Sequence, residues 1–281
     1  MTDAPRIRPL AAAEVEEAVE WAAREGWNPG LADAPAFLAQ DPEGFLGLFV
    51  DGALAVTLSV VRYAGGFAFA GFYICRPDLR GRGLGLALWR AGLVRQSGGT
   101  VGLDGVVAQQ ANYAASGFVL AHRNIRYGGR ARLAAAPDTR VRALAPELDA
   151  AVQAYDTAHF GVARPAFLAR WLAPPGGAVR VLVVDGAVAG YGVARRCRVG
   201  VKVGPLFADT PEGARALFAA LAAAAGDVPI FLDAPEPNAA ARALAETAGL
   251  APVFETARMY KGPAPRLPLS RTFGITSFEL G

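Results

Sequence analysis

A chain of 281 residues with 53% hydrophobic side chains has enough apolar surface for one large core or two modest ones, and is not composed like a disordered segment. Its formal net charge of +3, on arginines that form no basic run, argues against nucleic acid as the main partner. Two cysteines (Cys75, Cys197) and two histidines (His122, His159) give neither a disulfide framework nor metal-ligand spacing, and no stretch reaches the ~20 apolar residues of a membrane span. The first residues, MTDAPRIRPL, carry no apolar signal region, so a cytoplasmic protein without membrane contact is expected.

Residues 7–10 read as an opening strand, and 11–24 as a helix with Val15, Ala18, Val19 and Ala22 on one face. Gly26 ends that helix and Trp27-Asn28-Pro29-Gly30 is a loop, after which 35–40 suit a second, short helix. Two apolar strands follow at 44–50 and 53–61, joined through the hairpin dipeptide Asp51-Gly52. Residues 63–69 lead into a buried strand, Phe72-Tyr73-Ile74-Cys75. Pro77 ends it by donating nothing to a ladder and by pulling Arg76 into extended geometry.

Arg80-Gly81-Arg82-Gly83-Leu84-Gly85 comes next and runs into a helix carrying Leu84, Leu88, Trp89 and Leu93 near helical spacing. A glycine-rich loop entering a helix lets backbone N–H groups converge on an anion; the helix dipole adds attraction, and flanking arginines suit a phosphate. The dinucleotide fingerprint fails, because Leu86 or Leu88 stands where its third glycine belongs, and no Gly-Lys-Ser/Thr follows for a nucleotide-phosphate loop. Residues 102–108 read as another strand, followed by Asn112-Tyr113-Ala114-Ala115-Ser116-Gly117-Phe118 and a closing strand over 118–127.

Arg-x-x-Gly-x-Gly after a proline-ended strand, then Tyr-x-x-x-Gly-Phe after the next strand, resembles in order and separation the acetyl-CoA loop and closing segment of the GNAT N-acetyltransferases. The resemblance covers roughly residues 5–130. It implies an α/β fold, a central mixed sheet flanked by helices, with acetyl-CoA as co-substrate and direct attack by an amine within a ternary complex. By that likeness Tyr73, Ile74 and Cys75 would bind the pantetheine arm through backbone groups, an N–H near Cys75 polarising the thioester. Arg80, Gly81, Arg82, Gly83, Leu84 and Gly85 would anchor the pyrophosphate, with Asn112 a further cofactor contact. Tyr113 would be the general acid for the departing thiolate, or else a tyrosine packed in the core.

Trp27 and Asn28 border the acceptor site in this pattern; equally, they suit a packed tryptophan and a turn asparagine. No Glu or Asp on the central strand offers a general base. Asp104 on the next strand is the nearest carboxylate, though a structural hydrogen-bond acceptor also fits it. Asp156 and His159 could reach a shared cleft from the second half, or form a helix-surface pair; a water chain could also serve. The expected activity is acetyl transfer to a primary amine of a small molecule. The alternatives are a CoA-binding sensor or scaffold without turnover, and an acyltransferase acting on a protein amine.

The second half repeats the first. Val181-Leu182-Val183-Val184-Asp185-Gly186 parallels Leu48-Phe49-Val50-Asp51-Gly52, and Gly249-Leu250 with Arg258-Met259-Tyr260 parallels Gly117-Phe118 with Ile125-Arg126-Tyr127, both at an offset near 133. Tandem GNAT-like domains over 1–132 and 138–281 are expected, the boundary falling in 128–139 around Pro137. The second copy lacks Arg-x-x-Gly-x-Gly after its strand at 201–207. Thr210-Pro211-Glu212 makes a helix cap there, and Asp209 and Glu212 put negative charge where a pyrophosphate would sit. Asn238 resembles the later helix start. The second copy is therefore read as a degenerate half, without CoA, that completes the acceptor pocket or forms a homodimer surface. Alternation over 273–280 suggests a final strand, with no chemistry assigned.

Overall fold

The structure, a computed structural model, describes residues 4–133 and 138–281, so part of the expected boundary, with Pro137, lies outside the described residues. The first half runs β1 (Arg6–Pro9), α1 (Ala12–Arg24), α2 (Ala34–Gln40), β2 (Phe45–Val50), β3 (Ala53–Arg62), β4 (Phe67–Cys75), α3 (Leu84–Val94), β5 (Thr100–Val106), α4 (Gln110–Ala115) and β6 (Val119–Gly129). The second repeats it: β7 (Val141–Ala143), α5 (Asp149–Phe160), α6 (Pro165–Trp171), β8 (Ala178–Val184), β9 (Ala187–Arg196), β10 (Val201–Ala208), α7 (Pro211–Ala225), β11 (Ile230–Pro235), α8 (Ala239–Thr247) and β12 (Ala251–Lys261), followed by β13 (Thr272–Gly274). Both hairpins turn on an Asp-Gly pair with positive φ at each residue, which is what a two-residue hairpin turn requires.

All thirteen strands form one mixed sheet, and its order shows how the halves join: β12 lies between β5 and β6, and β6 pairs in turn with β11. Each half has given its closing strand to the other. In space, therefore, the halves at 1–132 and 138–281 are not separate bodies. Two buried ion pairs mark the exchange at equivalent positions. Arg258 on β12 faces Asp104 on β5 and donates to both its oxygens (2.9 and 2.6 Å). Arg126 on β6 faces Asp233 on β11 and does the same (2.6 and 2.8 Å).

The helices bury their apolar faces against this sheet. α1 presents Val15, Ala18, Val19, Trp21 and Ala22, the expected stripe with one tryptophan added. α2 meets α6 across the two halves, with Phe37 stacked on Trp171 at 5.9 Å, so one core serves both. On the opposite face Leu88 and Trp89 of α3 cover β3 and β4.

The tail corrects one expectation. Its ladder covers only Thr272–Gly274, where β13 pairs with β10, and not 273–280. Ile275 N–H turns instead to the Asp233 carbonyl, and Leu280 N–H donates to Ser277 Oγ, closing a turn in place of a strand.

Candidate active site

The site begins at a defect in β4. Over Phe67–Ala70 this strand pairs in parallel with β5, and beyond Ala70 the two part. At the same point β4 gains a residue on β3: Ser59 faces Gly71 but Thr57 faces Ile74. Phe72 absorbs the bulge at φ +48°, a left-handed conformation that costs a bulky residue roughly 1–3 kcal/mol. Thr57 Oγ1 holds it by donating to the Phe72 carbonyl at 2.7 Å, and the ring packs on Phe37 and Phe45. The bulge thus swings Tyr73-Ile74-Cys75 away from β5 and opens a cleft of ≈ 480 Å³ between them, of the size that small-molecule sites occupy.

The glycine loop closes one end of this cleft. Gly81 and Gly83 have φ +78° and +77°, and a side chain at either would meet open space. The first bond of α3 runs from Ala87 N–H to the Gly83 carbonyl (3.1 Å), so helix geometry leaves the N–H groups just before it without intrahelical acceptors at the positive end of the dipole. That is a cradle for an anion, and it fits a pyrophosphate. Arg82 is exposed beside it. Arg80 is more committed than the sequence suggested: it donates to the Cys75 carbonyl (3.0 Å) and to Glu25 just after α1 (2.5 Å), bracing the loop.

Gly85 is needed for packing, since a Cβ there would lie 2.7 Å from the Tyr73 hydroxyl. Tyr73, Trp89 and Tyr113 form a row of rings, with centroids 5.2 and 5.5 Å apart. Tyr113 is buried, lines the cleft, and its hydroxyl has no hydrogen-bond partner among the described residues. Burial, and secondarily Tyr73, pushes its phenol up to about 12, so it is protonated near neutrality and equipped to give a proton. The Cys75 thiol is also pushed up, by burial first, and is a poor nucleophile.

The other expected residues divide. Trp27 lines the cleft, its carbonyl taking Arg126 at 2.7 Å. Asp104 lines it as well, but its oxygens serve Arg258 and Asn124 (2.7 Å); burial drives the carboxyl up and Arg258 opposes this, a structural role and not that of a free base. Asn28 lies outside the cleft: its amide exchanges two hydrogen bonds with the backbone of Val199, tying the α1–α2 loop to the second half. Asn112 also lies outside, its amide donating to the Gln109 side-chain carbonyl (2.6 Å).

Asp156 and His159 are corrected too, because α5 turns both into the core of the second half. Asp156 is fully buried between Arg164 (2.8 and 2.7 Å) and the Tyr191 hydroxyl. His159 is stacked between Tyr155 and Phe207 and lines a different, small cavity.

The equivalent opening in the second half is shut. β10 pairs with β11 only over Val201–Val203 and then shifts register, repeating the β4 defect, but here β13 fills the gap. Thr210 Oγ1 takes Gly213 N–H (3.1 Å), and Asp209 is held by Tyr155 (2.6 Å) and Arg271. Among the cleft residues that escaped the sequence reading are Phe254, Thr256, Phe278 and Glu279. The strand exchange brings the first two, on β12, and the tail laid over the β4 bulge brings the other two.

Among known proteins, the family model described as acetyltransferase (GNAT) domain matches residues 152–274, entirely within the half without the loop. A curated relative, holothin acyltransferase of Pseudoalteromonas sp. (strain SANK 73390), is 32% identical over 276 residues, 98% of this chain and 94% of its own. A structure from Pyrococcus horikoshii assigned as an acetyltransferase superposes with TM-score 0.83 at 23% identity, covering 99% of this chain and 96% of that one. A tandem GNAT protein from the clavulanic acid biosynthesis pathway does so with TM-score 0.63 at 15% identity, over 93% and 100%. With its bulged strand, glycine loop and duplicated order of elements, the chain belongs to the GNAT family and is a tandem acyltransferase of that type.

Proposed function

We propose that this protein moves an acetyl group from acetyl-CoA to a primary amine of a small molecule, by direct attack with both reactants held in one cleft. A single observation carries the reading: the parted β4, the anion cradle of Gly81 and Gly83, and the protonated Tyr113 all face one cavity. The residues fit CoA. Loop N–H groups would hold the pyrophosphate, and Tyr73–Cys75 backbone left free by the bulge would hold the pantetheine arm. Tyr113 gives a proton to the departing thiolate, and alignment of amine and thioester supplies much of the rate. No described helix is long and apolar enough to cross a membrane. The relative's name makes holothin the first acceptor to assay.

The test is calorimetric titration of acetyl-CoA, with thiol release in the presence of holothin. Wild type should bind at one site per chain. Gly83→Glu, which places a carboxylate in the cradle at a left-handed position, should weaken binding at least about 100-fold. Two sites would overturn the silent second half, and unaltered binding by the variant would overturn the cradle.

A further inference from the structure

The cleft contains a buried acid that the family likeness did not point to. Glu279 lies in the turn after β13, is 2% exposed and lines the cleft, and neither carboxylate oxygen has a hydrogen-bond partner. Its backbone is fixed on both sides. A Cβ on Gly71 would collide with the Glu279 carbonyl, so the tail lies directly on the β4 bulge. The neighbouring Leu280 carbonyl takes the Tyr63 hydroxyl at 3.0 Å. Phe278, on the other side, packs near Phe254 (6.1 Å) and under Arg126 (4.5 Å).

The surrounding charges leave Glu279 unmatched. Arg126 on β6 is paired with Asp233 on β11, and Arg195 on β9 with Asp33 before α2. Lys202 on β10 is buried and donates to the Trp27 carbonyl at 3.4 Å. Glu25 binds Arg80 and Asp104 binds Arg258. Arg126, Arg195 and Lys202 interact with Glu279 only at longer range and give its oxygens no hydrogen bond. A buried carboxylate without a partner costs folding free energy, and such a group is retained where a ligand supplies the missing donor. The group best suited is a cation small enough to enter the cleft.

Resting on the acyltransferase reading above, we propose that Glu279 receives the ammonium group of the acceptor and takes its proton. The freed amine then attacks the thioester carbon; a C–N bond forms and the C–S bond breaks. Tyr113 gives its proton to the leaving sulfur and recovers one from the amide nitrogen, while the proton on Glu279 passes to water. One ammonium and one thioester yield one amide, one thiol and one proton. The tail of the second half thus provides the acceptor pocket of the first with its base.

The experiment uses the full chain, acetyl-CoA, and whichever of holothin or benzylamine wild type acetylates. Thiol release is followed from pH 6 to 10 for wild type and Glu279→Gln, with acetyl-CoA affinity measured on the same samples as a check of folding. Glu279→Gln should keep wild-type affinity for acetyl-CoA and lose about 100-fold or more in kcat/KM at pH 7. The deficit should shrink as the pH nears the pKa of the amine, where solvent has already removed the proton. Should the variant not bind acetyl-CoA, Glu279→Asp is read in its place, with a lower rate but the wild-type pH profile. A loss independent of pH, or rates within two-fold of wild type throughout, would overturn the role of Glu279 alone. A wild type that binds acetyl-CoA but acetylates neither amine would overturn this role and the acyltransferase reading together.

Discussion

Gly105, on β5 behind Tyr113, gives a sharp test of how the site is held. Its backbone is ordinary, so alanine brings no φ penalty. The new methyl would lie 2.7 Å from Tyr113 Cδ2 and closer still to Cε2. Carbon atoms rest at roughly 3.5–4.0 Å, so the ring must retreat by about 1 Å. It cannot do so freely, with Trp89 packed 5.5 Å from its centroid and the residue itself buried. Overpacking of this kind costs about 1–3 kcal/mol, or a fall in Tm of roughly 2–10 °C for a chain of this size. A 1 Å displacement of a group at the reacting centre costs about 100-fold in rate.

Gly105→Ala should therefore retain acetyl-CoA binding while losing about two orders of magnitude in kcat. Tyr113→Phe should lower turnover sharply with little change in acetyl-CoA affinity, and adding Gly105→Ala to it should cost little more, because the displaced hydroxyl is already gone. The assay is a double-mutant cycle on kcat, with thermal denaturation of all four proteins. Equal losses from Gly105→Ala in the Tyr and Phe backgrounds would refute the argument, since the damage would then not pass through the phenol.

Two further predictions concern stability. His122 is held down to about 4 by burial, then by the positive charge of Arg258. The unfolded chain binds that proton nearer pH 6.5, so this contribution is intact above 6.5 and lost as the pH falls towards 4. It amounts to about 2 kcal/mol between pH 7 and 5. Urea denaturation at the two pH values should show a smaller difference in His122→Gln, and an equal difference would contradict it. Arg258→Leu leaves Asp104 buried without its partner and should cost about 3–5 kcal/mol, part of which Asp104→Asn in the same chain restores. A double variant as unstable as the single one would show that packing, not charge, dominates there.

Much of this architecture is local in origin and so could be read from the chain. Asp51-Gly52 and Asp185-Gly186 dictate their hairpins, Pro77 stops β4, and Thr210 and Asn238 cap α7 and α8 as their side chains allow. The glycines of the cradle and Tyr113 lie within one continuous stretch, so spacing alone located them. Asp156 and His159 went astray because an isolated acid and histidine on one helix do not disclose which core the helix faces. Glu279 and Phe254 were hidden for a different reason. Phe254 reaches the cleft because β12 pairs with β5, and Glu279 because the tail beyond β13 lies on the β4 bulge; no feature of either stretch states which copy of a repeat it joins. The parallel between the segments at 125–127 and 258–260 was visible in sequence; that each strand crosses to the other half was not.

That crossing also bears on heredity. A duplicate that has lost its binding loop is ordinarily free to decay, since nothing selects for its remaining residues. Here the second copy supplies β12 along the edge of β5, and with it Phe254 and Thr256 to the cleft. The first copy in return supplies β6 to β11. Loss of either would strip a partner from the sheet of the other, so selection for catalysis in one copy preserves the fold of both. The second copy is thereby bound to the first in inheritance, and its sequence should drift most freely at the loop before α7 and least along β12.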